Sequence, residues 1–413
     1  MWRDLAGRRA RSSWSDQCDA VSDLRRVVFR AGSKSLRMKV LIYSHAFHPA
    51  LGGVETVSLA LARGFLELGI ECRVVTQSSA NPADSIVFPF EVIRKPDRRR
   101  ARALVRWADV VLFNGASLAL QPWVIIERKP FVWVHVGYQA ACIDGLGWVD
   151  NAAAPITPLA SIRFHAHRSG WAHGLREGLK LTLRRAMAKF VVDRNVAITH
   201  WMDTAMPLPR QVHIYNPFPI EQFRDADNPS PTFEFFYLGR MVHEKGVDVL
   251  LRAFAIVRQR RPNAGARLLL IGDGTARAEM ERLVDELGVA DAVVFAGRQS
   301  GRALVEWTAK GRIGLIPSVW YEPMGGVAVE LMAAGKSLIV SQSGGLAECV
   351  GNAGLVFPNG DHEALAGCML RLLDDPELQR AQSDKARQRA QEFLPTPFVK
   401  QYVALLEEVV AQR

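Results

Sequence analysis

From Met38 onward the chain alternates two apolar patterns: short continuous runs, and longer segments whose apolar residues recur every three or four positions. The short runs, bounded by turn residues, predict buried strands, and the longer period predicts amphipathic helices. Val40–Ser44, Val54–Leu68 and Cys72–Thr76 form a first strand–helix–strand unit. Strands are also predicted at Asp109–Phe113 and Phe131–Val136. The alternation breaks at Asn216-Pro217-Phe218-Pro219 and a polar linker through Pro231. It then resumes with Phe233–Leu238, Leu268–Ile271, Val293–Gly297 and Ile313–Pro317. Strands separated by helices build parallel sheets covered on both faces. A chain of 413 residues exceeds what one hydrophobic core organises, so two α/β domains are expected. Phe398–Val410, apolar at helical spacing after Pro395-Thr396-Pro397, adds a last helix.

Residues 1–37 are rich in Arg and Ser and lack a sustained apolar period. They read as a disordered N-terminal extension, dispensable for folding and activity, with Met38 a second candidate start. Their arginines are mixed with Asp4, Asp16, Asp19 and Asp23, which argues against a basic arm for membrane or nucleic acid. They also lack the compact apolar core of a signal peptide, so export is not expected. Trp107–Ile126 is apolar enough to imitate a membrane span. Asp109, Asn114-Gly115, Gln121 and Pro122 interrupt it within the ~20 residues that spanning needs, so a buried strand, a turn and a helix are expected.

Five scattered cysteines (Cys18, Cys72, Cys142, Cys349 and Cys368) without a C-x-x-C pair fit the reduced thiols of a cytoplasmic protein. His165, His167 and His173 lie among arginines with no Cys or carboxylate cluster to complete a metal site, and their segment reads as a solvated basic helix. Charge divides unevenly: residues 1–220 hold 30 Lys+Arg against 17 Asp+Glu, and residues 221–413 hold 22 against 25. The excess concentrates at Arg98-Arg99-Arg100 and from Arg163 through Arg185. A solvated basic face is one account; docking on an anionic membrane surface is the sharper one. No nucleic-acid recognition module accompanies the charge, so no nucleic-acid partner is expected.

Candidate chemistry sits in the loops after the strands. His48-Pro49-Ala50-Leu51-Gly52-Gly53-Val54-Glu55 is a Gly-Gly entry to the first helix. His135 ends a strand where doubly wound sheets place ligand contacts, although it could equally be a hydrogen-bonded core histidine. Gly239-Arg240-Met241-Val242-His243-Glu244-Lys245-Gly246 carries two cations five residues apart, suited to a diphosphate, and Lys245 reads as a loop cation whose removal barely touches folding. Gly272-Asp273-Gly274 resembles a dinucleotide turn but has Arg277 where a third glycine belongs, which counts against a dehydrogenase. Tyr321-Glu322-Pro323-Met324-Gly325-Gly326-Val327-Ala328-Val329-Glu330 runs from a loop into a helix ending near Gly335. Glu322 precedes the helix, Glu330 lies two turns on, and the first-turn N–H groups offer an anion site. Two solvated glutamates on a loop and a helix are the plainer alternative.

The ordered set Gly239-Arg240 to Lys245-Gly246, Gly272-Asp273-Gly274, Glu322 to Glu330, then Gly344-Gly345 and Glu348, resembles the retaining GT-B glycosyltransferases of family 4, the glycosyl transferases group 1. The resemblance covers the chain from Met38 and takes in Gly52-Gly53-Val54-Glu55 and His135. Met324 departs from the aromatic residue more usual there, which bears on sugar selectivity. The resemblance implies an α/β GT-B fold of two Rossmann-like domains across a cleft: residues 38–215 for the acceptor, 216–396 for a UDP- or GDP-sugar, and a C-terminal helix at 397–413 returning to the first domain. It implies catalytic roles for Arg240, Lys245, Glu322 and His135, with the diphosphate on Arg240 and Lys245 and His135 facing the sugar. Donor contacts are implied at Gly52, Gly53, Gly239, Gly272, Asp273, Gly274, Met324, Gly325, Gly326, Val327 and Glu330, the last holding ribose. The implied reaction is retaining hexosyl transfer to a glycan or lipid-linked acceptor, as in cell-surface polysaccharide or glycolipid synthesis, with no metal or other cofactor. Asp225-Ala226-Asp227 imitates a metal-binding DxD but reads as linker. A sugar-nucleotide epimerase of the same architecture and a non-catalytic sugar-nucleotide-binding subunit are the alternatives.

Overall fold

The computed structural model describes residues 38–48, 52–80, 87–115, 119–226 and 230–413. The 1–37 extension, Pro49-Ala50-Leu51 and Asp227 lie outside them. The first half runs β1 (Lys39–Ser44), α1 (Gly53–Glu67), β2 (Glu71–Thr76), β3 (Glu91–Arg94), α2 (Arg98–Trp107), β4 (Val110–Asn114), α3 (Gln121–Ile126) and β5 (Phe131–His135). A small hairpin of β6 (Trp148–Val149) and β7 (Ala152–Ala153) follows, then α4 (Pro158–Ser169), α5 (Trp171–Phe190), β8 (Arg194–Ala197), α6 (His200–Ala205) and β9 (Gln211–His213). Seven strands form a parallel sheet in the order β3-β2-β1-β4-β5-β8-β9. Its central strands β4 and β5 are buried along their whole length, as continuous apolar runs require when helices cover both faces. In α1, Val57, Leu61 and Phe65 recur every four residues and turn one stripe to the sheet. Asp97 caps α2 by accepting from the Arg100 N–H at 2.7 Å.

The second half runs β10 (Phe233–Leu238), α7 (Val247–Arg260), β11 (Leu268–Ile271), α8 (Arg277–Glu286), β12 (Val293–Gly297), α9 (Gly301–Ala309), β13 (Gly311–Ile316), α10 (Gly326–Ala333), β14 (Ser337–Ser341), α11 (Gly345–Val350) and β15 (Gly354–Phe357). It ends with α12 (His362–Asp374), α13 (Pro376–Ala390) and α14 (Pro395–Ala411). The six strands are parallel in the order β12-β11-β10-β13-β14-β15, the doubly wound arrangement. Its core packs Phe235, Leu268, Leu270 and Leu315 of the sheet against Leu250, Phe254 and Val257 of α7.

The last helix returns to the first sheet. Phe398, Tyr402, Leu405 and Val409 are buried at helical spacing on α14. A methyl on Gly64 of α1 would press into Val399, Glu408 pairs with Arg194, and Arg413 meets Asp193 at 2.9 Å. A second seam joins the halves. Glu348 of α11 accepts from the N–H groups of His200 and Trp201 at 2.9 and 2.8 Å and from the Tyr215 hydroxyl at 2.7 Å, while Thr199 donates to the Pro323 carbonyl at 2.7 Å.

Candidate active site

Both sheets reverse their strand order beside the first strand, between β1 and β4 and between β10 and β13. Loops leaving the carboxyl ends of those strands diverge and leave a crevice for a ligand. A cleft of about 850 Å³ lies there, lined by Gly52, Gly53 and Thr56 from one side. The other side supplies Gly239, Arg240, Lys245, Gly272, Asp273, Gly274, Ser318, Glu322, Met324, Gly325, Gly326, Val327 and Glu330. Every donor-contact residue singled out in the sequence therefore meets in one cavity, although the set spans some 280 positions from Gly52 to Glu330.

Backbone crowding explains the glycines of the phosphate-type loops. Gly272 has φ of 140°, and a Cβ there would run into the Gly239 carbonyl; Gly246 has φ of 64° and a Cβ there would strike the Pro317 carbonyl. The two loops are thus pressed together and cross-linked: Met241 N–H donates to the Asp273 carbonyl at 2.9 Å, and Ala276 N–H to the Met241 carbonyl at 2.9 Å. At Gly325 and Gly326 the space a side chain would need is filled by Leu346 and Phe218, so packing inside the protein demands glycine there as well.

Lys245 and Glu322 face each other across the cleft floor, Nζ to Oε1 at 2.7 Å, with Ser318 donating its hydroxyl to the same carboxylate oxygen. Glu322 is only 7% exposed, and Lys245 sits 5.5 Å above the Trp320 ring. Arg240 reaches outward, mostly exposed and 3.6 Å from Glu244, while its carbonyl accepts from the Tyr237 hydroxyl at 2.6 Å. One cation is therefore held by a buried partner and the other stays exposed beside Glu244. Glu330 lies half-buried in the wall, and desolvation pushes its carboxyl up to about 7.

His135 does not join them. Its ring is buried within the sheet, stacks on Trp133 at 4.8 Å between centroids and binds Asn195 Oδ1 through Nε2 at 2.9 Å. Burial lowers its pKa to about 4, so the ring is neutral, and the buried Nδ1 has no hydrogen-bond partner among the described residues. His135, expected to face the sugar, is 1% exposed and is not among the residues that line the cleft.

A family model, "Glycosyl transferases group 1", matches residues 220–389. The D-inositol 3-phosphate glycosyltransferase of Thermobispora bispora is 30% identical over 373 residues, covering 83% of this chain and 86% of that protein. The chain belongs to the glycosyl transferases group 1. The alpha-D-kanosaminyltransferase of Streptomyces kanamyceticus is 29% identical over 180 residues, 40% of this chain and 46% of that protein. The chain spans less than half the length of several curated relatives it matches, 46%, 35% and 28% of them. Among solved structures, Anabaena HepE in complex with UDP-glucose superposes with a TM-score of 0.68 at 17% identity, covering 91% of this chain and all of that one, a likeness of fold.

Sequence patterns missed three features of the cleft and its surroundings. Ser318 and Trp320 precede the motif glutamate on the β13 loop, where nothing in residue type or spacing marks them. Glu348 reads as a motif position, and its work as the anchor of α6 is a tertiary fact. His200 and His213 stack at 3.8 Å beside it, their ligand atoms and that of Glu348 lying within 4.8 Å of one another, and both Glu348 oxygens already accept hydrogen bonds.

Proposed function

We propose that this protein is a retaining hexosyltransferase that moves a sugar from a UDP- or GDP-linked donor to a hydroxyl of a glycan or lipid-linked acceptor in polysaccharide or glycolipid synthesis. The observation that carries this reading is the convergence of Arg240, Lys245, Glu322, Glu330 and the start of α10 on one cleft. HepE, similar in fold, is described in complex with UDP-glucose, which supports a nucleotide-sugar donor. In this reading the diphosphate lies over Arg240 and Lys245 with the helix N-terminus near it, the ribose diol donates to Glu330, and the sugar hydroxyls meet Glu322 and the amides of Gly325-Gly326-Val327. The bond from the anomeric carbon to the phosphate oxygen breaks while a bond to the acceptor oxygen forms on the same face. The acceptor proton passes to the leaving phosphate, whose growing charge the two cations stabilise, a task that assigns no step to a metal. In this reading His135, its neutral ring held by Asn195 of the adjacent strand β8, supports the end of β5. No helix among the described residues is long and apolar enough to cross a membrane, and a peripheral place on the cytoplasmic membrane face fits the basic first half.

Incubation with UDP- and GDP-sugars, with and without acceptor, tests the activity, and NMR of the fresh product tests its stereochemistry. The expected product keeps the donor's anomeric configuration because Glu322, held by Lys245, orients the sugar and is not an in-line base. An inverted anomer overturns the mechanism; an epimerised sugar nucleotide formed without acceptor identifies an epimerase instead.

A further inference from the structure

The segment expected to be a solvated basic helix folds as the α4–α5 hairpin, and α5 is packed the wrong way round for a soluble protein. Its buried stripe consists of small residues and one leucine: Gly174, Gly178, Leu181 and Ala188. A methyl on Gly174 would collide with Ala166 of α4, and one on Gly178 would crowd Ile162, so the two helices approach through that face. The large apolar residues face away. Trp171, Leu175, Leu179 and Leu183 recur every four residues and Phe190 falls in the same sector; all are between 50% and 73% exposed. Arg176, Lys180 and Lys189 are exposed on the same helix, and Arg163 is exposed on α4. Across residues 158–190 seven Lys and Arg stand against one acid, Glu177, which is itself paired with Lys180 at 2.8 Å.

We infer that the outer face of α5 inserts its Trp–Leu–Phe stripe into the interfacial region of an anionic bilayer while the flanking cations meet the lipid phosphates. An apolar stripe ending in aromatics, cations beside it and low net hydrophobicity is the pattern of a helix lying in the membrane plane. The positive charge selects a lipid surface over a protein groove of unspecified sign. This deepens and rests on the peripheral-membrane part of the proposed function, from long-range attraction to a defined inserting element. The hairpin lies between β5 and β8, and Arg185 of α5 donates to the Ala140 carbonyl on the loop leaving β5, so insertion would bring that loop toward the surface from which a lipid-linked acceptor is taken.

The test is sedimentation of the full chain with phosphatidylcholine vesicles with and without phosphatidylglycerol, at 0.1 M and 1 M salt. Screening shortens the Debye length from ~10 Å to ~3 Å between those salts, which removes electrostatic attraction but leaves insertion in place. Wild-type protein should bind the anionic vesicles at low salt and keep a substantial bound fraction at high salt. Leu175→Ser with Leu179→Ser and Leu183→Ser should weaken binding by at least about 30-fold while the thermal melt and donor hydrolysis stay at wild-type levels, since these side chains lie outside both core and cleft. Leu179→Glu alone serves as a milder variant should the triple one fold poorly, with roughly a 10-fold loss expected. Binding unchanged by either variant overturns the proposal, as does binding abolished by 1 M salt or a stripe that instead holds two copies together in sedimentation velocity. Transferase activity is read separately, so a failed insertion leaves the glycosyltransferase reading intact and an absent activity leaves the insertion result standing.

Discussion

Lys245→Ala is expected to lower turnover by roughly 100-fold or more, the ~3 kcal/mol scale of one preorganised electrostatic group at a developing anion. Lys245 has one job in the structure and a second in the proposed mechanism, and they separate experimentally. In the free protein its ammonium neutralises Glu322, whose carboxylate is otherwise left with the Ser318 hydroxyl in a setting only 7% exposed. Removing one partner of a buried pair costs up to about 3–5 kcal/mol, reduced here because the lysine side chain keeps 18% of its surface in water. The expectation that folding barely changes is thus revised: the variant should melt earlier. Combining Lys245→Ala with Glu322→Gln should recover much of the melting temperature without recovering turnover. Steady-state transfer kinetics beside thermal melts check both parts. Turnover near the wild-type value in folded Lys245→Ala protein would remove the lysine from the diphosphate site.

Glu330→Gln should stabilise the free protein at alkaline pH while weakening nucleotide binding. The carboxyl titrates near 7 in the folded protein against an ordinary 4.5, so the folded state retains a proton that the unfolded chain has lost between those values. Stability therefore falls as pH rises from 4.5 to about 7 and stays lowered above it. At ~1.4 kcal/mol per pH unit the penalty is at most ~3.5 kcal/mol, and glutamine removes it. Wild-type and variant melts should coincide below pH 4.5 and diverge above 7 in favour of the variant. In the proposed complex the ionised carboxylate accepts from the ribose diol, a charge-assisted contact of about 1.5–3 kcal/mol, so nucleoside diphosphate affinity by calorimetry should drop by roughly 10- to 100-fold. Melts that run parallel at every pH together with unchanged affinity would show that Glu330 neither suffers desolvation nor meets the nucleotide.

Much of the architecture was legible because parallel α/β proteins write their strands as continuous apolar runs. The predicted strands at Val40–Ser44, Cys72–Thr76, Phe131–Val136, Phe233–Leu238 and Leu268–Ile271 coincide with observed strands to within a residue or so at either end. The short strands β3, β8 and β9 have no comparable run: β3 has no fully buried residue, and Arg194 and His213 look like loop residues until the sheet is assembled. The cleft residues were legible because loops at the carboxyl ends of parallel strands converge by topology, so residues that follow strands need not be close in sequence to be neighbours in space.

Residue order by itself determined the two doubly wound sheets, the loops that form the cleft and the glycine positions, since periodicity and backbone sterics are local properties. Side-chain direction at the end of a strand and the choice of which helix face is covered depend on what packs alongside, and only the tertiary structure decided them. The His135 imidazole is buried against Trp133 and bound to Asn195 of a neighbouring strand, partners that residue order does not announce. Lys245 acquired a structural role because Glu322, 77 residues later, folds back beneath it. The segment of α5 reads as a solvated basic helix, yet Gly174 and Gly178 let α4 approach so closely that the small residues go inside and Trp171, Leu175, Leu179 and Leu183 are left facing out.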